Sequence, residues 1–199
     1  IDPRDLVETY GLDAVRYFLL REIPFGNDGD FSIERLSVRY DGDLASGLGN
    51  LVSRVTTLAE GRSSLRTGND LADAAANAAS AYHAAVQEFR FHDALDHLWQ
   101  LLSACDRYID AEKPWELKKD PARAARLDEV LGTLVEALRQ AAWLLLPFMP
   151  DTATRIFAVL GWPTEPRRSF AEASLWGAAE RASQVQKMPP LFPRLGQDS

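Results

Sequence analysis

Between residues 33 and 59 the apolar positions Ile33, Leu36, Tyr40, Leu44, Leu48, Leu51, Val52, Val55 and Leu58 recur at intervals of three and four. That spacing stacks them on one side of a helix, and the stripe must be covered by apolar surface from elsewhere. Gly42, Gly47 and Gly49 weaken the run, so a bend or break is expected near Gly42. The same period predicts a helix over residues 93–110, with Leu95, Leu98, Trp99, Leu102, Cys105, Tyr108 and Ile109 on one broad face. Another starts at Pro121 or Ala122 and carries Leu127, Val130, Leu131, Leu134, Leu138 and Leu145 until Leu146, where Pro147 ends it. An alanine-rich helix is expected from Asp70 to about Arg90, with a seam at Phe91-His92.

The ends of the shorter elements are marked by their caps. Asp2-Pro3 reads as an N-cap and first helical residue opening residues 4–10; Gly11 interrupts, and residues 12–21 form a second short helix. Ser32 caps the helix that begins at Ile33, while Asp151 caps residues 152–160 and Gly161 closes them. Residues 23–31, with Pro24, Gly26, Asn27, Asp28, Gly29 and Asp30, read as a loop with room for a short extended strand near Ile23 or Asp30. Residues 61–69 form a polar hinge with Arg62 and Arg66, and Phe148-Met149-Pro150 a corner. Order weakens after Pro166, and residues 187–194 make an extended tail pinned by Leu191 and Phe192. Five or six helices with short connections, and almost no period-two pattern, define an all-α antiparallel helical bundle.

Composition narrows the class. A chain of 199 residues, 46% apolar and 26% charged, is an ordinary globular protein able to bury a sizeable core. Its formal net charge of -7 argues against indiscriminate grip on nucleic acid, so any such contact must be local. Cys105 is the single cysteine, which rules out an internal disulfide and fits a reducing, cytosolic setting. No apolar run has the length of a membrane span, and the first residues lack the pattern of a secretory signal. The chain opens on Ile1 and a capping pair, and is read as starting within a longer protein.

Candidate chemistry concentrates at two places. Trp115 follows Pro114 at a helix boundary among lysines; Lys113, before a proline, is expected to be extended, and Pro114 opens the next helix. An indole with so fixed a root can stack on an unpaired base, or it can staple two helices together. Asn50 and Arg54 lie four residues apart, so they share a helix face, where an amide and a planar guanidinium can read a base edge. A solvated face with a glycine-mediated contact at Gly47 and Gly49 accounts for the same spacing. Residues 107–126 hold six basic and four acidic side chains around Trp115, either a solvated helix end or a phosphate patch.

No catalytic constellation is visible. His92 and His97 are about 140° apart around a helix and do not converge on a metal. No Glu-x-x-His pair, Ser-His-Asp set or phosphate-binding glycine loop occurs, and Cys105 among apolar residues is an inert core thiol.

Three segments together resemble the C-terminal part of bacterial methionyl-tRNA synthetases, a class I aminoacyl-tRNA synthetase family. They are Asp2-Pro3 through Tyr10-Gly-Leu-Asp-Ala-Val-Arg-Tyr17, Asp43-Leu-Ala-Ser-Gly-Leu-Gly-Asn-Leu-Val-Ser-Arg54, and Tyr108-Ile-Asp-Ala-Glu-Lys-Pro-Trp115. Pro147-Phe-Met-Pro150 and Leu191-Phe-Pro-Arg194 extend the likeness over nearly the whole chain. The family's His-Ile-Gly-His signature and Lys-Met-Ser-Lys-Ser loop are missing, so the chain is expected to start just after that loop and to hold no catalytic residues and no cofactor of its own.

The resemblance implies a stem-contact or linker region over residues 1–35, a helical anticodon-binding domain over 36–180, and an extended tail over 181–199 that folds back toward the catalytic body. It assigns RNA binding to Asn50, Arg54, Pro114 and Trp115, with the indole stacked on a base of a CAU anticodon. The implied partners are initiator and elongator methionine tRNAs and the chain's own catalytic domain, with no membrane and no metal site. The intact enzyme would use ATP and Mg in the cytoplasm. Two positions depart from the family, which often has asparagine where Asp106 and Ser46 stand. The alternatives are a helical protein-interaction module, or the equivalent domain of an isoleucyl-, valyl- or leucyl-tRNA synthetase.

Overall fold

Asp2 and Ser32 start their helices as their side chains dictate: Asp2 accepts from the Arg4 N–H at 2.9 Å and Ser32 from that of Arg35 at 3.3 Å. The computed structural model describes residues 2–23, 31–162, 169–177 and 183–193; among them there are helices and turns but no strand. Helix α1 (Pro3–Tyr10) ends at Gly11, whose φ of 83° a side chain would resist, and α2 (Leu12–Glu22) follows at once. Of the loop expected over residues 23–31, residues 24–30, with the strand site near Asp30, lie outside the described residues; Ile23 is extended as the C-cap of α2 and forms no strand.

After α3 (Ile33–Arg39) the chain does not bend at Gly42 as expected. It widens into a π-helical segment, Tyr40–Gly49, before the α pattern resumes in α4 (Asn50–Ala59). Glycines suit that widening. A β-carbon at Gly47 would sit 3.3 Å from the Gly42 carbonyl oxygen, and one at Gly49 only 3.0 Å from that of Leu44, the carbonyls five residues earlier.

The remaining elements are α5 (Ala72–Gln87), α6 (Phe91–Glu112), α7 (Pro114–Leu117), a 3-10 turn (Pro121–Arg123), α8 (Ala124–Leu145), α9 (Pro150–Leu160) and α10 (Phe170–Ala173). Three of the boundaries that differ from those read in the sequence have a cause in the packing. Helix α5 begins at Ala72, because the Asp70 carboxylate is engaged elsewhere, by the Tyr108 hydroxyl at 2.8 Å and by Arg126 at 3.5 Å. The seam before α6 falls at residues 88–90, where Phe89 takes a φ of 58°, rather than at Phe91-His92. Helix α9 opens at Pro150, with Asp151 inside its first turn. Its capping carboxylate is supplied by α2, where Asp13 accepts from the Thr152 N–H at 2.7 Å. On the other side of that corner Arg16 donates to the Pro147 and Phe148 carbonyls, so α2 braces the α8–α9 turn through both kinds of backbone group.

Helix α8 is the axis of the bundle, and every residue from Val130 to Ala142 is buried. The apolar faces of α4, α5, α6 and α9 pack around it. A smaller cluster of Leu6, Val15, Phe18 and Leu36 lies beneath α1 to α3, while Ala14 and Tyr17 on the opposite side of α2 belong to the main core. The polar loop before α5 is strapped to α8. Asp128 takes bonds from Arg62 and Ser64, the Gly68 N–H donates to Thr133 at 2.9 Å, and Gly132 leaves room for the Arg66 carbonyl.

Beyond residue 168 the chain is tied back to the bundle. Ser169 and Glu172 form a capping box for α10, and Arg139 reaches from α8 to the Ala173 and Leu175 carbonyls. The tail expected to hang on Leu191 and Phe192 is pinned more widely. Val185, Met188 and Leu191 are buried, the Met188 N–H donates to Thr56 at 3.2 Å, and Phe192 meets Tyr40 edge-to-face. Arg194 lies outside the described residues.

Glu136 and Arg139 are each 1% exposed and paired at 2.6 and 2.8 Å. Removing one member of such a pair leaves a buried charge without its counterpart. Glu136→Ala is expected to lower stability by about 3–5 kcal/mol in denaturant unfolding. A loss within the range of an exposed ion pair, about 0–1 kcal/mol, would contradict this packing.

Candidate nucleic-acid interface

Helix α6 ends and α7 begins around one residue, Lys113. Its N–H donates to the Ile109 carbonyl at 3.0 Å, closing α6, and its own carbonyl accepts from Glu116 and Leu117, opening α7. The extended backbone expected ahead of a proline is not what occurs: Lys113 is left-handed, with φ 46° and ψ 62°. Proline excludes the right-handed helical region for its predecessor, and the left-handed one both satisfies that restriction and caps α6. Pro114 stands at the first position of α7, as the sequence predicts.

Pro114 and Leu117, three apart, are the buried side of this single turn, which turns Trp115 outward at 38% exposure. The ring lies over a cation from another part of the chain, with the Arg54 guanidinium carbon 5.9 Å from its centroid. Arg54 is held from below by α6, through Asp110 at 2.9 Å and Asp106 at 3.5 Å. Those two acids are one helical turn apart and immediately precede the α6–α7 junction. Arg54 and Trp115, with Ser53, Thr57 and Leu58, line an open depression of about 310 Å³. Asn50 is exposed one turn earlier on α4, as its first residue after the π segment, and lies outside that lining.

Three of the four expected site residues are thus brought to one place: Arg54 and Trp115 in direct contact, and Pro114 as the buried root of the turn. Asn50 shares the helix face but not the depression. The part of Asp106 and Asp110 in holding Arg54 was not read from the sequence. Their spacing of four on α6 was a signal, but their partner, on α4, could not be named before the helices were docked. The expected close approach at Gly47 and Gly49 is made largely by the chain's own carbonyls, and at Gly49 also by Phe192 of the tail.

The electrostatics follow from these contacts. Burial raises the Asp106 carboxyl above the usual carboxylate range; Arg54 works against that shift and Asp110 adds to it. Arg126 is held by Glu112 at 2.8 Å, Glu129 at 3.3 Å and Asp70 at 3.5 Å, which ties it into the helix junction. Cys105 is buried and its thiol is pushed up to about 12, chiefly by desolvation, so it is no nucleophile at neutral pH. Among the described residues no group of three or more His, Cys, Asp or Glu side chains could hold a metal, and no helix is long and apolar enough to cross a membrane.

Residues 71–188 match the family model described as the anticodon-binding domain of tRNA ligase, and residues 1–56 the one described as tRNA synthetases class I (M). The bundle is therefore that of a class I tRNA ligase. Methionine–tRNA ligases of Caldanaerobacter subterraneus subsp. tengcongensis and of Bacillus subtilis are each 40% identical over 98% of the chain. The solved methionyl-tRNA synthetase of Mycobacterium tuberculosis bound by methionyl-adenylate matches with a TM-score of 0.80 and 33% identity, over 97% of this chain and 40% of that one. The chain belongs to the methionyl-tRNA synthetase family, over the portion that holds the anticodon-binding domain. It spans 32% and 31% of the length of the two ligases.

Because the folded pKa of Asp106 lies above its unfolded value, ionising it opposes folding. The cost is absent below the unfolded carboxylate range and complete once pH passes the raised folded value. Asp106→Asn should therefore gain stability relative to the parent between pH 4 and pH 7, measured by denaturant unfolding at both. A difference that stays constant or reverses would show that the carboxyl is not desolvated.

Proposed function

We propose that this chain is the anticodon-reading part of a methionine–tRNA ligase, which as a whole attaches methionine to its tRNA with ATP. Its contribution is recognition, and the catalytic body supplies the sites for ATP and Mg. The reading rests above all on the half-exposed Trp115 indole lying over the Arg54 guanidinium, two groups more than fifty residues apart in sequence. Single-stranded loops are recognised when bases leave their own stack, lie on an aromatic face and are bonded along their free edges. Trp115 offers the face. Arg54, charge-matched by Asp106 and Asp110, is suited to directing N–H groups at a base edge rather than to gripping phosphate indiscriminately. Asn50 adds a donor and an acceptor one turn away. Pro114 fixes the turn.

On this reading the bases are those of a CAU anticodon, carried by initiator and elongator methionine tRNAs in the cytoplasm. Residues 1–35 form the stem-contact region, 36–180 the anticodon-binding domain and 181–199 the tail.

Stacking on an aromatic is worth about 1–3 kcal/mol per base, roughly ten- to a hundredfold in binding. Trp115→Ala in the full-length enzyme is expected to impair tRNA charging by that factor, in the tRNA KM or in kcat. Methionine-dependent ATP–pyrophosphate exchange should stay near the parent value. Equal damage to both assays would mean a folding defect and remove the support for a reader. Binding indifferent to replacement of the CAU bases in a stem-loop would point instead to a protein-docking surface.

A further inference from the structure

The acids close to Trp115 in the chain are all engaged within the fold. Asp110 holds Arg54, Glu112 holds Arg126, Glu116 holds Lys119 at 2.8 Å, and Asp120 caps the 3-10 turn through the Ala122 N–H at 3.0 Å. Of the six cations in residues 107–126, Arg126 and Lys119 are consumed by those pairs. Arg107, Lys113, Lys118 and Arg123 are exposed and make no ion pair among the described residues. In a chain of net charge -7, the indole is thus bracketed by cations with no internal counter-charge. Lys113 immediately precedes the Pro114–Trp115 turn. Lys118 follows Trp115 by three residues in a backbone that is still helical, and so lies on the same side of that turn. Arg107 precedes Asp110 by three on α6.

A second observation concerns the backbone. The left-handed conformation of Lys113 costs a residue with a β-carbon roughly 1–2 kcal/mol, which glycine avoids and asparagine lessens. Closing α6 and opening α7 requires only that conformation, not a lysine. That a charged, exposed side chain bears this strain beside the candidate surface motivates the hypothesis that its charge is used there.

We propose that Lys113 and Lys118, flanked by Arg107, bind the phosphates of single-stranded RNA on either side of the base that stacks on Trp115. The inference rests on the anticodon-reading function proposed above and adds a division of labour to it. Arg54, matched by two carboxylates, reads; the unmatched lysines hold the backbone. Lysine suits that task, being a compact charge that meets a phosphate without a demand for planar geometry. The track therefore contributes affinity without sequence preference, and contributes it through displaced counterions.

The test is the salt dependence of binding by the full-length protein, between 50 and 200 mM KCl, to two anticodon stem-loops, one with CAU and one with those bases changed. Lys113→Asn removes the charge with a residue that tolerates the left-handed backbone, and Lys118→Gln removes it without loss of helix propensity. For a single strand, each phosphate that is no longer neutralised flattens the plot of log K against log salt by about 0.7, so the double variant should lower the slope by about 1.4. Binding should weaken by the same factor for both loops. Arg90→Gln removes one positive charge at the far end of α6, about 33 Å away at 1.5 Å per residue, where Glu88 and Asp93 pair it, and should leave the slope unchanged.

An unchanged slope in the lysine variants would overturn the track, as would an equal loss with Arg90→Gln or a loss confined to the CAU loop. These results are separable from failure of the reader itself. Asn50→Ala, which removes an edge donor and acceptor without a change of charge, should lessen the preference for CAU while keeping the slope, and a retained preference would count against Asn50 as a reader and not against the lysines.

Discussion

Arg54 joins two parts of the chain that only folding brings together, and the interface depends on that junction. From α4 its guanidinium reaches the Asp106 and Asp110 carboxylates near the end of α6, and the Trp115 ring closes over it. None of the three interactions is strong alone, since partly exposed ion pairs and cation–π contacts contribute about 1 kcal/mol or less. Together they fix one guanidinium between two acids and one aromatic. The result is a cation whose direction is set before any ligand arrives, and preorganisation of that kind counts for more in recognition than the sum of the contacts.

The bundle supplies the rigidity behind this geometry. Helix α8 is surrounded, and its few polar side chains face inward. Glu136, Arg139 and Gln140 bond the backbone of residues 173–177 instead of meeting water. Asp13 and Arg16 do the same for the corner between α8 and α9. In each case a buried polar group organises a segment that has little apolar surface of its own, which lets short elements such as α10 and the tail keep one position. The tail in turn packs Phe192 close to Gly49, the residue before Asn50, so the start of α4 is bounded by the last described stretch of the chain.

The helices were legible because burial needs a repeated period, and the long apolar stripes of α6 and α8 carry it without ambiguity. Their ends were less so. Asp70 and Asp151 have the chemistry of helix caps, but the Asp70 carboxylate is engaged by Tyr108 and Arg126, and Asp151 sits inside its turn while Asp13 of α2 takes the Thr152 N–H. The π segment was legible only as weakness at Gly42, Gly47 and Gly49, since a missing side chain permits both a break and a widened turn, and neighbours select between them. At Lys113 the restriction imposed by proline was read correctly and its resolution was not, because two backbone regions escape the clash and only one also closes α6.

The sequence by itself determined the all-α class, the positions of the main helices, and the residue types suited to reading a base. These follow from local period, local sterics and the chemistry of single side chains. Tertiary structure alone decided that Trp115 faces water over Arg54, that Asp106 and Asp110 hold that arginine, and which cations near the indole keep their charge unmatched. Such contacts join residues far apart in sequence. Their energies depend on distance and burial, which no local pattern encodes.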